Sequence, residues 1–263
     1  AEPVPEEPRS EELPLDIFTF PRGAAAGTLL HEIFEELDFT GSEDSSLEEL
    51  VAGKLQEHGF EQKWRNVLSK MVREVLCTPL DSNFPQLELR RIEQHDRLNE
   101  LEFYFPLHRI SKKELREIFS LYTEISHLGS FPEMIGQLNF APAKGFMKGF
   151  IDLVFQFDGR FYLVDWKSNF LGDRIENYDE VSLNAAMINE MYILQYHIYS
   201  LALHRYLKLR VAGYDYRSHF GGVYYIFLRG VAVERGPAYG IYRDRPSLEL
   251  LESLSQRLIE HKK

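Results

Sequence analysis

Two neighbouring apolar segments, each interrupted by an aspartate, limit the folds open to this chain more than any other feature. They cover residues 145–157 and 161–167 and flank the dipeptide Asp158-Gly159. An Asp-Gly pair between apolar runs is typical of a β-hairpin turn, so the sequence predicts two antiparallel strands here. Because an unpaired charge is costly to bury in such a strand, Asp152 and Asp165 are predicted to have a specific role.

Asp165 begins the tripeptide Asp165-Trp166-Lys167. Side chains alternate along a strand, so Asp165 and Lys167 are predicted to share one face, with Asp152 reaching them from the neighbouring strand. Two carboxylates supply hard oxygen ligands for Mg²⁺, and the lysine could orient or deprotonate the attacking water or stabilise transition-state charge. This set suits metal-assisted hydrolysis of a phosphodiester. The alternative is a structural role, in which Asp152 lies at a β-bulge or turn and Asp165 and Lys167 form a surface ion pair.

Five motifs place this pattern in a wider context. They are Gly27-Thr28-Leu29-Leu30-His31, Gly149-Phe150-Ile151-Asp152, Val164-Asp165-Trp166-Lys167-Ser168-Asn169, Leu194-Gln195-Tyr196-His197-Ile198-Tyr199 and His219-Phe220-Gly221-Gly222-Val223-Tyr224-Tyr225. In this order, and over most of the chain, they resemble the C-terminal nuclease domain of the RecB family, part of the PD-(D/E)XK nuclease superfamily. The resemblance implies an α/β fold with a restriction-endonuclease-like core, in which helices flank a mixed β-sheet.

The resemblance also implies roles for individual residues. Asp152 and Asp165 would be metal ligands, Lys167 the catalytic lysine, His31 a further ligand from the first helix, and Trp166 a ligand through its main-chain carbonyl. One or two Mg²⁺ ions are expected. A neutral imidazole among oxygen ligands would favour tolerance of Mn²⁺ in their place. Without the resemblance, the alternative for His31 is a partner for a neighbouring carboxylate.

Three further residues complete the predicted site. Glu102 resembles an acidic metal-binding position of the family, which acts through a water or a second metal; the alternative is a solvent-facing glutamate on an edge strand. Gln195 and Tyr199 are spaced i, i+4 on a helix predicted over residues 183–209, so they share one face. The resemblance places them at the rim of the active site, in contact with the lysine or the DNA, whereas the alternative is core packing.

The net charge of −11 argues against strong DNA binding by the chain itself, because affinity for nucleic acid comes mainly from Lys and Arg that neutralise phosphates. Part of the acidity lies in the Pro- and Glu-rich N-terminus. Residues 1–20 are predicted to be a linker from a preceding domain, and residues 21–263 a single nuclease domain. Five basic residues are candidates for phosphate contacts, with a scattered solvated surface as the alternative: Lys144, Lys148, Arg205, Arg217 and Arg229.

The resemblance implies DNA, mainly single-stranded, as the substrate, delivered by a RecB helicase region in the same polypeptide. It further implies the partner subunits RecC and RecD and a surface for RecA. The single cysteine, Cys77, fits a reducing compartment and the bacterial cytoplasm. A different class of function is a catalytically silent nuclease-like module that docks RecA or partner subunits. A structure-specific or restriction-type endonuclease is a third hypothesis, disfavoured by the acidic balance.

Overall fold

The fold is described from a computed structural model, which covers residues 15–41, 44–122, 130–137 and 143–259. The helices are α1 (Ala24–Glu36), α2 (Asp44–Glu57), α3 (Arg65–Cys77), α4 (Lys112–Leu121), α5 (Phe131–Gln137), α6 (Glu180–Asn189), α7 (Tyr192–Arg210), α8 (Tyr216–His219) and α9 (Leu248–Leu258). The strands are β1 (Arg97–Ile110), β2 (Ala143–Phe157), β3 (Arg160–Lys167), β4 (Phe220–Phe227) and β5 (Ile241–Asp244). The predicted α/β architecture is confirmed.

The five strands form one mixed sheet in the order β1-β2-β3-β4-β5. Neighbouring strands are antiparallel except β3 and β4, which are parallel and joined through α6, α7 and α8. The predicted hairpin joins β2 to β3, and its turn residues Asp158 and Gly159 have φ angles of 48° and 71°. Positive φ at both central positions matches the right-handed twist of the flanking strands.

Helices cover both faces of the sheet. On one face α1, α2 and α3 pack against a cluster that includes Val164 and Trp166 of β3. The stacked rings of Phe34 and Trp166, with centroids 4.4 Å apart, join α1 to this strand. On the other face α4, α5, α6, α7 and α9 pack against a cluster that includes Leu163 of β3. The alternation predicted for β3 is therefore confirmed, and it leaves Asp165 on the α7 side.

Strands β2 and β3 separate halfway along β2. They pair from Phe157 and Arg160 as far as Leu153 and Val164, after which β3 continues beside β4 and β2 continues beside β1. We call this divergence, between Asp152 and Asp165, the fork. The part of β1 and β2 beyond it, residues 101–110 and 143–151, we call the arm. The fork leaves main-chain groups of β3 without a ladder partner on the β2 side.

The single long helix predicted over residues 183–209 is wrong, because the structure has two helices, α6 and α7. Met191 between them has φ 60°, a left-handed conformation that costs a non-glycine residue about 1–2 kcal/mol. Neither Gly nor Pro marks the break, so apolar periodicity continues across it. The strand β5 and the short helices α5 and α8 were not predicted.

Residues 15–20, which lie within the predicted linker, pack against the rest of the chain. Phe20 is buried against Phe60 and Trp64. The main-chain carbonyls of Ile17 and Phe20 accept hydrogen bonds from Arg229. The first 14 residues lie outside the described residues. Within the described ranges, every helix is too short or too polar to cross a membrane.

Candidate functional site

The fork brings the two predicted aspartates together. The main-chain N–H of Trp166 donates to Oδ2 of Asp152 at 2.8 Å, so this carboxylate replaces the ladder partner that β2 no longer provides. The N–H and C=O groups of one strand residue point to the same neighbour. The carbonyl of Trp166 therefore also faces the fork, on the side from which Asp152 reaches β3.

Lys167 is held in a fixed position on the face of β3 that carries Asp165. Its ammonium group forms an ion pair with Oδ1 of Asp165 and donates to Oε1 of Gln195 at 3.1 Å. The same nitrogen lies 3.8 Å from the ring centroid of Tyr192 and 4.9 Å from that of Tyr225. A buried ammonium is thus surrounded by one carboxylate, one amide oxygen and two π faces, which stabilise its charge.

Gln195 is oriented by two tyrosines. Its Oε1 accepts from Lys167 and, at 3.0 Å, from the hydroxyl of Tyr225, while its Nε2 donates to the hydroxyl of Tyr199 at 2.9 Å. Lys has donors only, so the oxygen of the amide must face it. The predicted pair Gln195 and Tyr199 does share one face of α7, as the i, i+4 spacing indicates.

His31 reaches the fork from α1. Its Nδ1 lies 3.5 Å from Oδ2 of Asp152, and its side chain is 40% exposed. The helix approaches β3 closely at Gly27, where a Cβ would lie 3.1 Å from Oγ of Ser168. Burial lowers the pKa of His31, but the hydrogen bond to Asp152 and the negative charges of Asp152 and Asp165 outweigh it, so the pKa is raised.

Asp165 carries the most perturbed carboxylate of the site. It is 3% exposed. Burial, followed by the negative charge of Asp152, raises its pKa to about 6, although the ammonium of Lys167 acts in the opposite direction. Two acidic groups that repel each other in a buried setting favour a cation between them.

The donor set at the fork fits a divalent cation. It offers the carboxylates of Asp152 and Asp165, the carbonyl of Trp166 and the imidazole of His31. Hard oxygen donors with few protein carboxylates are what Mg²⁺ prefers, and one imidazole is compatible with Mn²⁺. These four residues were predicted as ligands from widely separated motifs; the structure places His31 and the N–H of Trp166 against Asp152, and their part in metal binding stays a prediction.

Glu102 has a different partner. It lies on β1 opposite Phe150, and its Oε1 contacts Nζ of Lys148 at 3.1 Å. Both side chains of this pair are 54% exposed. The structure thus places Glu102 on the arm, where its predicted part in metal binding stays a prediction.

Among the basic residues predicted to contact phosphate, Arg229 is buried, so that prediction is wrong. The residue is 1% exposed, and its guanidinium donates to the main-chain carbonyls of Ile17, Phe20, Pro21 and Ser168. Arg217 contacts Glu249 and Arg205 contacts Ser255, each away from the fork, whereas Lys148 lies on the arm. The side chain of Lys144 lies outside the described residues.

A second group of potential metal ligands consists of Glu32 on α1 and of Glu57 and His58 at the end of α2. Its negative charge is already compensated, because Nζ of Lys54 lies 3.1 Å from a carboxylate oxygen of each glutamate and also contacts Glu36. His58 contacts Glu32 at 2.9 Å. This network joins α2 to α1 and stabilises the helix that carries His31.

Sequence reasoning missed Tyr192 and Tyr225. Tyr225 lies beside Asp165 in the parallel pairing of β3 and β4. Tyr192 is three residues before Gln195, on the same side of α7, and its hydroxyl donates to Oδ1 of Asn169 at 3.1 Å. Helical spacing from Gln195 could have indicated Tyr192, but Tyr225 could be found only from the strand register.

Comparisons with known proteins agree with this geometry. The family model described as "PD-(D/E)XK nuclease superfamily" matches residues 10–261. The chain is 42% identical to the RecBCD enzyme subunit RecB of Escherichia coli (strain K12), over 94% of the chain and 20% of that protein. It is 36% identical to the subunit of the same name from Haemophilus influenzae, over 91% of the chain and 19% of that protein.

A more distant relative gives a similar result. The RecBCD enzyme subunit RecB of Mycolicibacterium smegmatis is 30% identical, over 97% of the chain and 26% of that protein. The chain spans about a fifth to a quarter of the length of these relatives. The match of the family model over nearly all of the chain, together with the two carboxylates and the lysine at the fork, shows that the chain belongs to the PD-(D/E)XK nuclease superfamily.

Proposed function

We propose that this chain is the Mg²⁺-dependent nuclease domain of a RecB-type helicase–nuclease, which hydrolyses phosphodiesters of unwound single-stranded DNA. One observation supports the proposal: Asp152 accepts from the N–H of Trp166 at the fork, between Asp165 and Lys167, and Lys167 forms an ion pair with Asp165. A charged lysine that is 8% exposed and held by Gln195 and two aromatic rings is pre-organised. Pre-organised charge in a site shielded from water is the main source of electrostatic catalysis.

The side chains divide the work between binding and charge stabilisation. Asp152, Asp165, the carbonyl of Trp166 and the imidazole of His31 would hold the cation. When bound, the cation supplies positive charge to the phosphate oxygens and activates water for attack. The N–H of Trp166 keeps Asp152 oriented through its 2.8 Å hydrogen bond, so the carboxylate does not have to reorganise on binding.

Lys167 acts on the reacting groups directly. Its ammonium has three donors, of which one is directed to Oε1 of Gln195 and another to Asp165. The third can hold the attacking water or contact a phosphate oxygen on which charge develops. The rings of Tyr192 and Tyr225 limit the access of bulk water to this nitrogen, and a lower local dielectric strengthens each of these contacts.

The cellular setting is part of the same proposal. The relatives are subunits of a RecBCD enzyme and are much longer than this chain. We infer that the nuclease works in one polypeptide with a helicase region, beside RecC and RecD, and that it offers a surface for RecA. The single cysteine supports action in the bacterial cytoplasm. The net charge of −11 supports a substrate delivered by other parts of the enzyme rather than captured from solution.

Cleavage of closed circular single-stranded DNA by this chain tests the proposal, since a circle reports internal cuts alone. The reaction is run in Mg²⁺, in EDTA, and in Mg²⁺ with Lys167→Ala. A matched control is Lys113→Ala, because that lysine is on α4, is 84% exposed and pairs with Glu117. We expect cutting in Mg²⁺ by the unmodified chain and the control, and a loss of at least about 100-fold in Lys167→Ala.

Three results would contradict the proposal. Equal cutting in Mg²⁺ and in EDTA would show that the reaction does not need the metal. Equal cutting by Lys167→Ala would show that the activity comes from another site or another protein. The third result has two parts: the unmodified chain cuts neither circular nor linear single strands, and neither Mg²⁺ nor Mn²⁺ raises its melting temperature. In that case the catalytically silent docking module becomes the better account.

A further inference from the structure

The arm carries exposed aromatic rings that the proposed chemistry does not use. Tyr104 is 61% exposed, Phe146 is 64% exposed and Phe150 is 43% exposed. The rings of Tyr104 and Phe146 stack with centroids 4.8 Å apart and planes 12° apart. Together with Lys148, we call these residues the aromatic strip. Single exposed apolar residues are common on protein surfaces, but a contiguous patch of this kind points to a binding surface.

The strip lies on one face of the arm. Phe146, Lys148 and Phe150 alternate along β2, and Tyr104 pairs with Lys148 across the antiparallel ladder. The opposite face of the arm is packed: Phe103 meets Tyr199 of α7 with ring centroids 5.5 Å apart. The strip therefore faces the side of the sheet on which α1 carries His31. In the described part of the chain, each of its three aromatic residues keeps at least 43% of its surface exposed.

The strip begins next to the proposed metal ligands. Phe150 precedes Asp152 by two residues, or about 7 Å along a strand, and Phe146 by about 20 Å. Lys148 lies between them, with its ammonium 5.1 Å from the ring centroid of Phe150. Its ion pair with Glu102 is solvent-exposed and therefore weak, so an entering phosphate can compete for the ammonium.

We propose that the aromatic strip is a stacking platform that guides single-stranded DNA to the fork. The proposal deepens the proposed function and rests on it. Alternating aromatic rings and a cation are how proteins bind single strands without reading sequence, because every base has a π face. The chain's net charge of −11 makes such a platform useful, since phosphate attraction alone would be weak. The outer faces of the Tyr104–Phe146 stack are the surfaces on which bases continue the stacking.

The test separates base stacking from phosphate contact. The probes are fluorescently labelled (dT)₁₂ and a strand of the same length made of abasic sugar-phosphate units, both bound in EDTA so that no cleavage occurs. The proteins are the unmodified chain, the double variant Tyr104→Ala/Phe146→Ala, and Leu209→Ala. Leu209 is 85% exposed at the end of α7, away from the strip, so it controls for the loss of an exposed apolar side chain.

We expect the unmodified chain and Leu209→Ala to bind (dT)₁₂ at least about tenfold more tightly than the abasic strand. The double variant should lose this difference, while its affinity for the abasic strand stays the same. Lys148→Ala should weaken binding to both strands and lower the slope of log affinity against log salt by about 0.7, the value for one phosphate contact on a single strand. Far-UV circular dichroism and the melting temperature check that each variant folds.

Equal affinity of the unmodified chain for the two strands would overturn the platform and would assign the strip to a protein partner. The same holds if the double variant keeps the full preference for bases. These results are independent of the proposed nuclease activity. If the chain cuts circular single strands but binds (dT)₁₂ and the abasic strand equally, only the platform proposal fails. If it prefers (dT)₁₂ but does not cut, only the nuclease proposal fails.

Discussion

Removal of one buried histidine should change how acid affects the stability of this domain. His197 on α7 is fully buried, with its ring edge-on to Phe119 at 5.0 Å and stacked on Tyr196 at 4.4 Å. Its Nδ1–H donates to the carbonyl of Ile193 at 2.7 Å, which identifies the neutral tautomer. Burial lowers the pKa of His197 to about 4 from 6.5, although the charge of Asp244 and the bond to Ile193 oppose the shift.

The sign and the size of the effect follow from these two pKa values. The pKa of His197 is lower in the folded chain than in the unfolded chain. The contribution of the neutral His197 to stability is therefore complete above about pH 6.5 and is lost as pH falls towards about 4. Each tenfold difference in proton affinity is worth about 1.4 kcal/mol, so the full loss is about 3 kcal/mol. At about pH 5 the unfolded chain has bound the proton and the folded chain has not, and the loss is about 2 kcal/mol.

His197→Phe keeps the ring and removes the titration. At pH 7.5 the variant should be about 1 kcal/mol less stable, because the bond to the Ile193 carbonyl is lost. Between pH 7.5 and pH 5, however, its free energy of unfolding should fall by about 2 kcal/mol less than that of the unmodified chain. Urea titrations followed by tryptophan fluorescence measure this, with His95→Phe as the control because His95 is 73% exposed. If the free energy of unfolding of His197→Phe falls between pH 7.5 and pH 5 by as much as that of the unmodified chain, the reasoning is refuted.

Three further changes test one buried contact of residues 17–21 and two contacts of the fork. Arg229→Met removes four hydrogen bonds from a buried side chain to main-chain carbonyls and should lower the free energy of unfolding by about 3–5 kcal/mol in a urea titration, whereas a loss under about 1 kcal/mol would contradict a role of Arg229 in holding residues 17–21 against the domain. Gln195→Ala frees Lys167 and should lower the cleavage rate constant by about 10- to 100-fold without changing the affinity for single strands in EDTA; an affinity loss with an unchanged rate would place Gln195 in DNA binding instead. Asp152→Asn keeps an acceptor for the N–H of Trp166, so stability in EDTA should change by less than about 1 kcal/mol while cleavage in Mg²⁺ falls at least about 100-fold, as paired melting and cleavage assays would show.

Local signals predicted the hairpin and the face of each β3 side chain. The Asp158-Gly159 turn and the period of two along β3 are properties of a few consecutive residues, so they can be read without the rest of the fold. The approach of His31 to Asp152 depends on how α1 packs on the sheet, which periodicity does not specify. That approach was expected only from the family resemblance.

Long-range contacts explain what the sequence did not predict. Arg229 was interpreted as a surface cation, but its acceptors Ile17, Phe20 and Pro21 lie more than 200 residues earlier in the chain. Tyr225 meets the site through the parallel register of β3 and β4. Met191 ends one helix and begins another without a glycine or proline, and its left-handed backbone is stabilised by tertiary packing rather than by local preference.

The fork also gives the two faces of the arm different freedom to change. The inner face packs on α7, where Phe103 meets Tyr199, so its side chains are tied to the helix that carries Gln195. The outer face is exposed, and the ladder of the arm joins β1 to β2 rather than to β3. Substitutions on the outer face can therefore alter the contacts of the arm with substrate while the pairing of β3 with β4, which positions Asp165 and Lys167, stays the same.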